Sequence, residues 1–170
     1  MPPLLEAAEF LPADLPLVAN FACGETEWGK AMADWIKAPQ TARFGNSCHD
    51  TTIWLYYHPD GRIVGFGSLG TTRWRNPYPA GPYEEFSIIP ALAIQTPFQH
   101  LPPDNFGGNV PFSHQILSDL IGRAVLNTPD FVVLYVHTQN IPAITLYGHF
   151  GFKKVPGERD GYIRMQRRLK

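Results

Sequence analysis

The sequence predicts one α+β domain over residues 1–170, built on a mixed sheet that is mostly antiparallel with one central parallel pair of strands that splays apart. Three observations lead there. The hydrophobic period switches between two and 3.6 along the chain in the order βααβββαβαββ. Residues 85 to 136 read strand, loop, helix, strand, a unit whose two strands run parallel. Pro90 falls inside the first of those strands; without an N–H it cannot donate to a ladder, so a bulge or a parting from the neighbour is expected there.

Each element has its own signal. Residues Leu4 to Phe10 form the first strand, and Asp14 is placed to cap a short helix over Leu15–Asn20, with Pro16 in its first turn. A second helix runs from Thr26 to Lys37, because Trp28, Met32, Trp35 and Ile36 share one stripe; Thr26 or Glu25 starts it and Pro39 stops it. Thr51–Tyr57 is β-branched and aromatic, Pro59-Asp60-Gly61 is a turn, and Arg62–Gly70 returns antiparallel. Residues 74–83 hold three prolines and are expected as a stiff aromatic loop.

Glu85–Gln95 is the strand interrupted by Pro90, and the stretch from Pro97 to Pro111 is irregular. Ser113–Leu126 is a helix with Ile116, Leu117, Leu120, Ile121, Ala124 and Val125 turned inward. Phe131–Val136 is apolar throughout, as a strand buried on both faces should be. Asn140 caps the next helix, Pro142 sits in its first turn and Gly151 ends it. Phe152–Val155 and Tyr162–Leu169 are the last strands, set around Pro156-Gly157 and Asp160-Gly161.

Composition removes several classes of function. Fourteen Lys and Arg against fifteen Asp and Glu leave a formal charge of -1, so no global field draws in nucleic acid or an anionic membrane. Cys23 and Cys48 cannot build a disulfide framework or a zinc pair, and the six histidines lack metal-type spacing, so no metal is expected. No apolar run approaches the ~20 residues needed to cross a bilayer, and the N-terminus has no signal-peptide pattern. A cytoplasmic protein is expected.

The segment Asn140-Ile-Pro-Ala-Ile-Thr-Leu-Tyr147-Gly-His-Phe-Gly151-Phe152 follows a buried strand. It resembles the N-x-x-A-x-x-L-Y-x-x-x-G-F segment of the GCN5-related N-acetyltransferase (GNAT) superfamily, and the element order extends the likeness over roughly residues 4 to 169. The resemblance implies a three-layer fold and an acetyl-coenzyme A-dependent N-acetyltransferase, in which a primary amine attacks the thioester directly in a ternary complex. It implies that Leu92, Ala93 and Ile94 bind pantetheine through their main chain, with an amide near Leu92 polarising the thioester carbonyl. Gly107, Gly108, Asn109, Val110, Phe112 and Ser113 would hold the pyrophosphate at a helix N-terminus. There the chain departs from the family's Q/R-x-x-G-x-G/A loop: Gln99 stands near the Gln/Arg position, His100–Phe106 reads as an insertion, and Pro111 removes a donor.

Tyr147 would protonate the departing thiolate, and Asn140 would both cap its helix and contact pantetheine. Glu84 and Glu85 open the strand that leads to Pro90 and are the nearest carboxylates. The pleat sends them to opposite faces, so at most one faces the site; Glu85 is taken as the candidate base, a bound water being the alternative, and Glu84, Trp74 and Tyr83 are candidates for the acceptor pocket. A small-molecule or peptide amine is the expected partner; homodimerisation is left open. Two other readings stand beside this one. The domain could bind an acyl-coenzyme A or a protein without catalysis. Alternatively, Phe21-Ala22-Cys23-Gly24-Glu25, followed by a helix ending in Trp35-Ile36, resembles the F-x-C opening of toxin-type acetyltransferases that act on aminoacyl-tRNA; nucleic acid is a partner only under that reading.

Overall fold

A computed structural model of the chain describes residues 5–38, 49–75, 83–99, 110–127 and 129–170. Strand β1 (Glu6–Glu9) leads into a 3-10 turn over Pro12–Val18 and then helix α1 (Glu27–Lys37). Asp14 does not stand ahead of a helix over 15–20. It lies within the 3-10 turn, and its carboxylate reaches back to accept from the Leu11 N–H at 2.8 Å. Pro16, inside that turn, has no N–H for an α-helical ladder, which leaves a tighter turn with a side chain closing its first free donor. Helix α1 starts as expected: Thr26 Oγ1 accepts from the Gly29 N–H at 3.1 Å. Its apolar stripe buries Ala33, Trp35 and Ile36.

The remaining elements are β2 (His49–Tyr57), β3 (Ile63–Arg75), β4 (Tyr83–Ile89), β5 (Leu92–Ile94), α2 (Phe112–Val125), β6 (Phe131–His137), α3 (Ile141–His149), β7 (Lys153–Arg159) and β8 (Tyr162–Arg168). The stretch expected as one strand over 85–95 is thus two. The stretch expected as loop over 74–83 is strand at both ends, where β3 runs on through Arg75 and β4 begins at Tyr83. Residues 76–82 between them lie outside the described residues.

The chain folds as two interleaved units, one of Met1–Arg43, Thr52–Ser68 and Ala91–Leu120, the other of Phe44–Thr51, Leu69–Pro90 and Ile121–Lys170. In the first, β1 runs antiparallel to β2 (Glu6↔Tyr57 to Glu9↔Trp54), and β5 runs antiparallel to β3 (Gly67↔Leu92 to Gly65↔Ile94). One face of β3 meets α1, where Phe66 stacks on Trp35 at 5.7 Å between ring centres and takes Phe21 edge-on at 5.3 Å. The other face is bare backbone. A Cβ on Gly67 would lie 2.7 Å from Leu120 Cδ1, and one on Gly65 would strike the Ala93 carbonyl. The glycines in Gly65-Phe66-Gly67 let helix α2 settle onto the strand, with Ile116 and Leu120 fully buried against it.

In the second unit, β3 pairs antiparallel with β4 (Gly70↔Ile88 to Arg75↔Tyr83), and β4 pairs parallel with β6 (Ser87↔Val132 to Ile89↔Leu134). Strand β6 pairs antiparallel with β8, which pairs with β7. Phe86, Ile88 and Val133 form a core with Phe131 and Tyr135 packed on it, and the Arg164 guanidinium lies 4.9 Å over the Phe86 ring. The fold class is the expected one, a mixed sheet with one parallel pair among antiparallel neighbours. Asp160-Gly161 forms a two-residue hairpin turn, both residues at positive φ (52° and 78°). Pro156-Gly157 does not separate strands. It lies within β7 as a bulge, where the register jumps from Val155↔Arg164 to Glu158↔Ile163; Gly157 takes φ 113°, open only to a residue without a Cβ.

Among the described residues no helix is long and apolar enough to cross a membrane. The crowding at β3 predicts opposite outcomes for two glycines. Gly65→Ala should destabilise by about 1–3 kcal/mol, because the new methyl meets backbone that cannot move aside. Gly122→Ala, in the last turn of α2 with nothing within 4 Å, should stabilise by up to about 1 kcal/mol. Urea denaturation of both variants measures the difference; equal midpoints would contradict the packing just described.

Candidate functional site

The site starts from a miscount between two strands. From Gly70↔Ile88 to Gly67↔Leu92, β3 has two intervening residues, Leu69 and Ser68, whereas the opposing chain has three, Ile89, Pro90 and Ala91. One residue is therefore extra, which makes this a bulge at the position expected from Pro90. Ser68 accommodates it. Its N–H donates to the Ala91 carbonyl at 2.9 Å, its hydroxyl donates to the same carbonyl at 3.0 Å, and that hydroxyl accepts from the Ala91 N–H at 3.0 Å. Ser68 has no exposed surface. Its only visible signal in the sequence is a lone hydroxyl in the apolar, glycine-rich run Ile63–Gly70.

Beyond the bulge, the ladder fixes which way the polar groups of β5 point. Ser68 bonds Ala91, and the Gln95 N–H donates to the Val64 carbonyl at 2.7 Å. Bonded and non-bonded pairs alternate along an antiparallel ladder, so Ala93, opposite Phe66, belongs to the bonded set. Leu92 and Ile94 consequently turn their N–H and C=O groups away from β3. The Ile94 carbonyl is already engaged, accepting from Gln99 Nε2 at 2.6 Å, and the same nitrogen donates to the Cys23 carbonyl at 3.0 Å. No other partner for these outward groups exists among the described residues. What is left is a strip of three: the Leu92 N–H, the Leu92 carbonyl and the Ile94 N–H. Gln99, placed from sequence near the phosphate loop, has its amide here instead.

The start of α2 belongs to the same unit. The Pro111 carbonyl accepts from the N–H groups of His114 (3.0 Å) and Gln115 (3.1 Å), and Gln115 Nε2 donates to the Val110 carbonyl at 2.9 Å. Phe112 meets Phe98 at 5.9 Å and His58 at 6.1 Å, so the two ends of the stretch following β5 are held in one aromatic cluster. Sequence reasoning missed Arg62 in this place: its guanidinium lies 5.0 Å over the Phe98 ring and also bonds Asp60, whose carboxyl it holds below the usual range. A hairpin turn brings it there, which no local pattern announces. Val110 is exposed and Phe112 and Ser113 are half-buried. Gly107, Gly108 and Asn109 lie outside the described residues.

In the second unit, the Asn140 side chain caps α3 by accepting from the Ala143 N–H at 3.3 Å. The helix ends with Gly151 at φ 82° and with the Phe152 N–H bonded to the Tyr147 carbonyl at 3.0 Å. This places Tyr147 on the last turn of α3, 8% exposed, its ring 5.9 Å from that of Phe152. No hydrogen bond reaches its hydroxyl among the described residues. Burial pushes the phenol up to about 12 from an ordinary value of 10. Glu85 is exposed near the start of β4, opposite Arg73 in the register; Trp74 stands opposite Glu84, and Arg75 opposite Tyr83. The side chains of Trp74, Tyr83 and Glu84 lie outside the described residues.

Cys23 is no nucleophile in this setting. Its thiol donates to the Gly29 carbonyl at 2.9 Å, and burial pushes its pKa up to about 11. Among the described residues no group of three His, Cys, Asp or Glu is arranged to hold a metal ion.

No family model and no curated protein matches the sequence. Solved structures do match the fold. The chain is 20% identical to the protein PH1933 of Pyrococcus horikoshii OT3, covering 98% of this chain and 99% of that one at a TM-score of 0.62. A bacterial toxin matches at 14% identity over 98% of this chain and 92% of its own, with a TM-score of 0.66. Arabidopsis thaliana NAA60, in complex with acetyl-coenzyme A, matches at 15% identity over 97% and 98% with a TM-score of 0.59. Together with the parallel pair, the bulge at Pro90 and the cap-to-cap geometry of α3, these likenesses identify the fold as that of the GCN5-related N-acetyltransferases.

Proposed function

We propose that the protein is an N-acetyltransferase that moves an acetyl group from acetyl-coenzyme A to a primary amine in a ternary complex. The observation that carries this reading is the outward strip on β5. Leu92 and Ile94 are half-buried, and two donors and an acceptor without partners among the described residues cost up to about 1–3 kcal/mol each to the extent that water is kept from them. An extended ligand with amides of its own, such as a pantetheine arm, satisfies them as an added half-strand would. In this reading Leu92, Ala93 and Ile94 hold the arm, and Gly107, Gly108, Asn109, Val110, Phe112 and Ser113 receive the pyrophosphate at the start of α2. Asn140 adds a polar contact.

The chemistry then divides among few groups. As the amine nitrogen bonds to the thioester carbon, negative charge grows on the carbonyl oxygen, and the Leu92 N–H is the donor proposed to face it. The carbon–sulfur bond breaks, and the Tyr147 hydroxyl gives its proton to the thiolate. The amine loses its own proton to Glu85 or to a water. Trp74, Tyr83 and Glu84 border the acceptor, a small-molecule or peptide amine, and no metal takes part.

Thiol release from acetyl-coenzyme A, followed with a panel of amines that includes aminoacyl-tRNA, tests the reading. Turnover with at least one acceptor is expected, and Tyr147→Phe should lower kcat by about 10²-fold while leaving coenzyme A affinity near its original value. An unchanged kcat removes Tyr147 from the reaction, and absence of both turnover and coenzyme A binding removes the reading itself.

The raised phenol pKa adds a second expectation. Burial favours the neutral form in the folded chain, so the stability it carries is complete below the unfolded value of 10 and is lost as pH rises through about 12. The acid is thus loaded across the working range. The kcat profile should rise as the acceptor amine deprotonates and show no falling limb from about pH 8 to pH 10. A fall within that interval, retained in Tyr147→Phe, would assign the acid to another group.

A further inference from the structure

We infer that Ser68 and Gln99 are positioning residues that trim β5 from its two ends and so set the donor–acceptor–donor order of its free edge. The inference rests on the reading of that edge as the pantetheine strip. Its ground is that a side chain, buried at Ser68 and half-buried at Gln99, and not the ladder alone, decides each end.

At the near end, the bulge leaves the register of β5 on β3 with a choice. A slip by one residue would turn the polar groups of Ala91 and Ala93 outward and those of Leu92 and Ile94 inward. Ser68 removes that choice. In a regular bonded pair, the Ala91 N–H would go to the main-chain carbonyl opposite it; here the Ser68 hydroxyl takes it and returns its own proton to the Ala91 carbonyl, each at 3.0 Å. Ala91 therefore faces β3, and Leu92 becomes the first outward residue after Pro90.

At the far end, Gln99 Nε2 occupies the Ile94 carbonyl at 2.6 Å and shuts off a fourth outward group, an acceptor. The amide cannot drift, since the same nitrogen is tied to the Cys23 carbonyl at 3.0 Å. Neighbouring Thr96 binds the Ala22 carbonyl through both its N–H (2.8 Å) and its hydroxyl (3.0 Å). A ligand strand continuing past Ile94 finds no acceptor there. The strip suits a short extended chain presenting acceptor, donor and acceptor in turn, and refuses a longer polypeptide strand.

Amide hydrogen exchange on the full chain, together with calorimetry using coenzyme A and kcat and KM for acetyl-coenzyme A, tests this on wild type, Ser68→Ala and Gln99→Met. In the free wild type, Ala93 should be protected at least ~100-fold more than Leu92 and Ile94. In Ser68→Ala the contrast should shrink below ~10-fold, with kcat lowered ~10-fold or more because the Leu92 N–H no longer holds its place. In Gln99→Met the contrast should persist while KM for acetyl-coenzyme A rises ~10-fold with kcat little changed. Equal protection of Ala93, Leu92 and Ile94 in the wild type, a measurement needing no variant to fold, would overturn the inference. So would a Ser68→Ala protein with unaltered contrast and kinetics. The predicted exchange pattern in a wild-type protein that binds no coenzyme A would support the trimming of β5 and reject the acetyltransferase reading.

Discussion

The chain from Tyr83 to Ile94 cannot pair along its whole length, because Pro90 brings no N–H to a ladder and one residue too many faces β3. The strand responds by giving its two halves different partners. Before Pro90 it pairs with β3 and, in parallel, with β6; after Ala91 it pairs with β3 alone. Everything proposed for the site depends on that break being held in one register. The Ser68 hydroxyl holds it by binding both polar groups of Ala91. Buried hydroxyls bonded on both sides act as register pins, since a slip would strand several polar groups at once.

The packing around β3 explains why such a pin is tolerated in an apolar layer. Gly65 and Gly67 hand one face of the strand to α2, and Phe66 fills the other against Trp35 and Phe21. Large groups thus stand on alternate positions only. The space beside Phe66 admits a side chain as small as serine, and its one polar atom is satisfied within the ladder. The same closeness of helix to strand fixes the start of α2 near the end of β5, where Phe98 and Phe112 meet at 5.9 Å.

Much of this could be read from residue order alone, and what could not shares a cause. The βαβ unit, the interruption at Pro90, the Thr26 cap and the Asn140-to-Gly151 boundaries of α3 are set by neighbours in sequence, so local rules reach them. Asp14 and Pro156-Gly157 defeated those rules although their residues were noticed. Aspartate closes a free N–H equally well from before a helix or from within its first turn, and Pro-Gly serves a bulge as readily as a turn. Ser68 and the amide of Gln99 were illegible for a different reason. Ala91 and Cys23 lie far along the chain, and although Ile94 is only five residues from Gln99, only the assembled fold shows a hydroxyl or an amide standing in for main chain.

An exposed strand edge is also a hazard, because another chain can add to it. Strand β5 limits the hazard by being three residues long, preceded by a proline and closed at Ile94 by an amide. These are the devices by which proteins keep edges from aggregating, yet a protein concerned only with aggregation would have paired the strip entirely. Among the described residues three groups stay open while the fourth is closed, a selective pattern that the proposed ligand of defined length would account for.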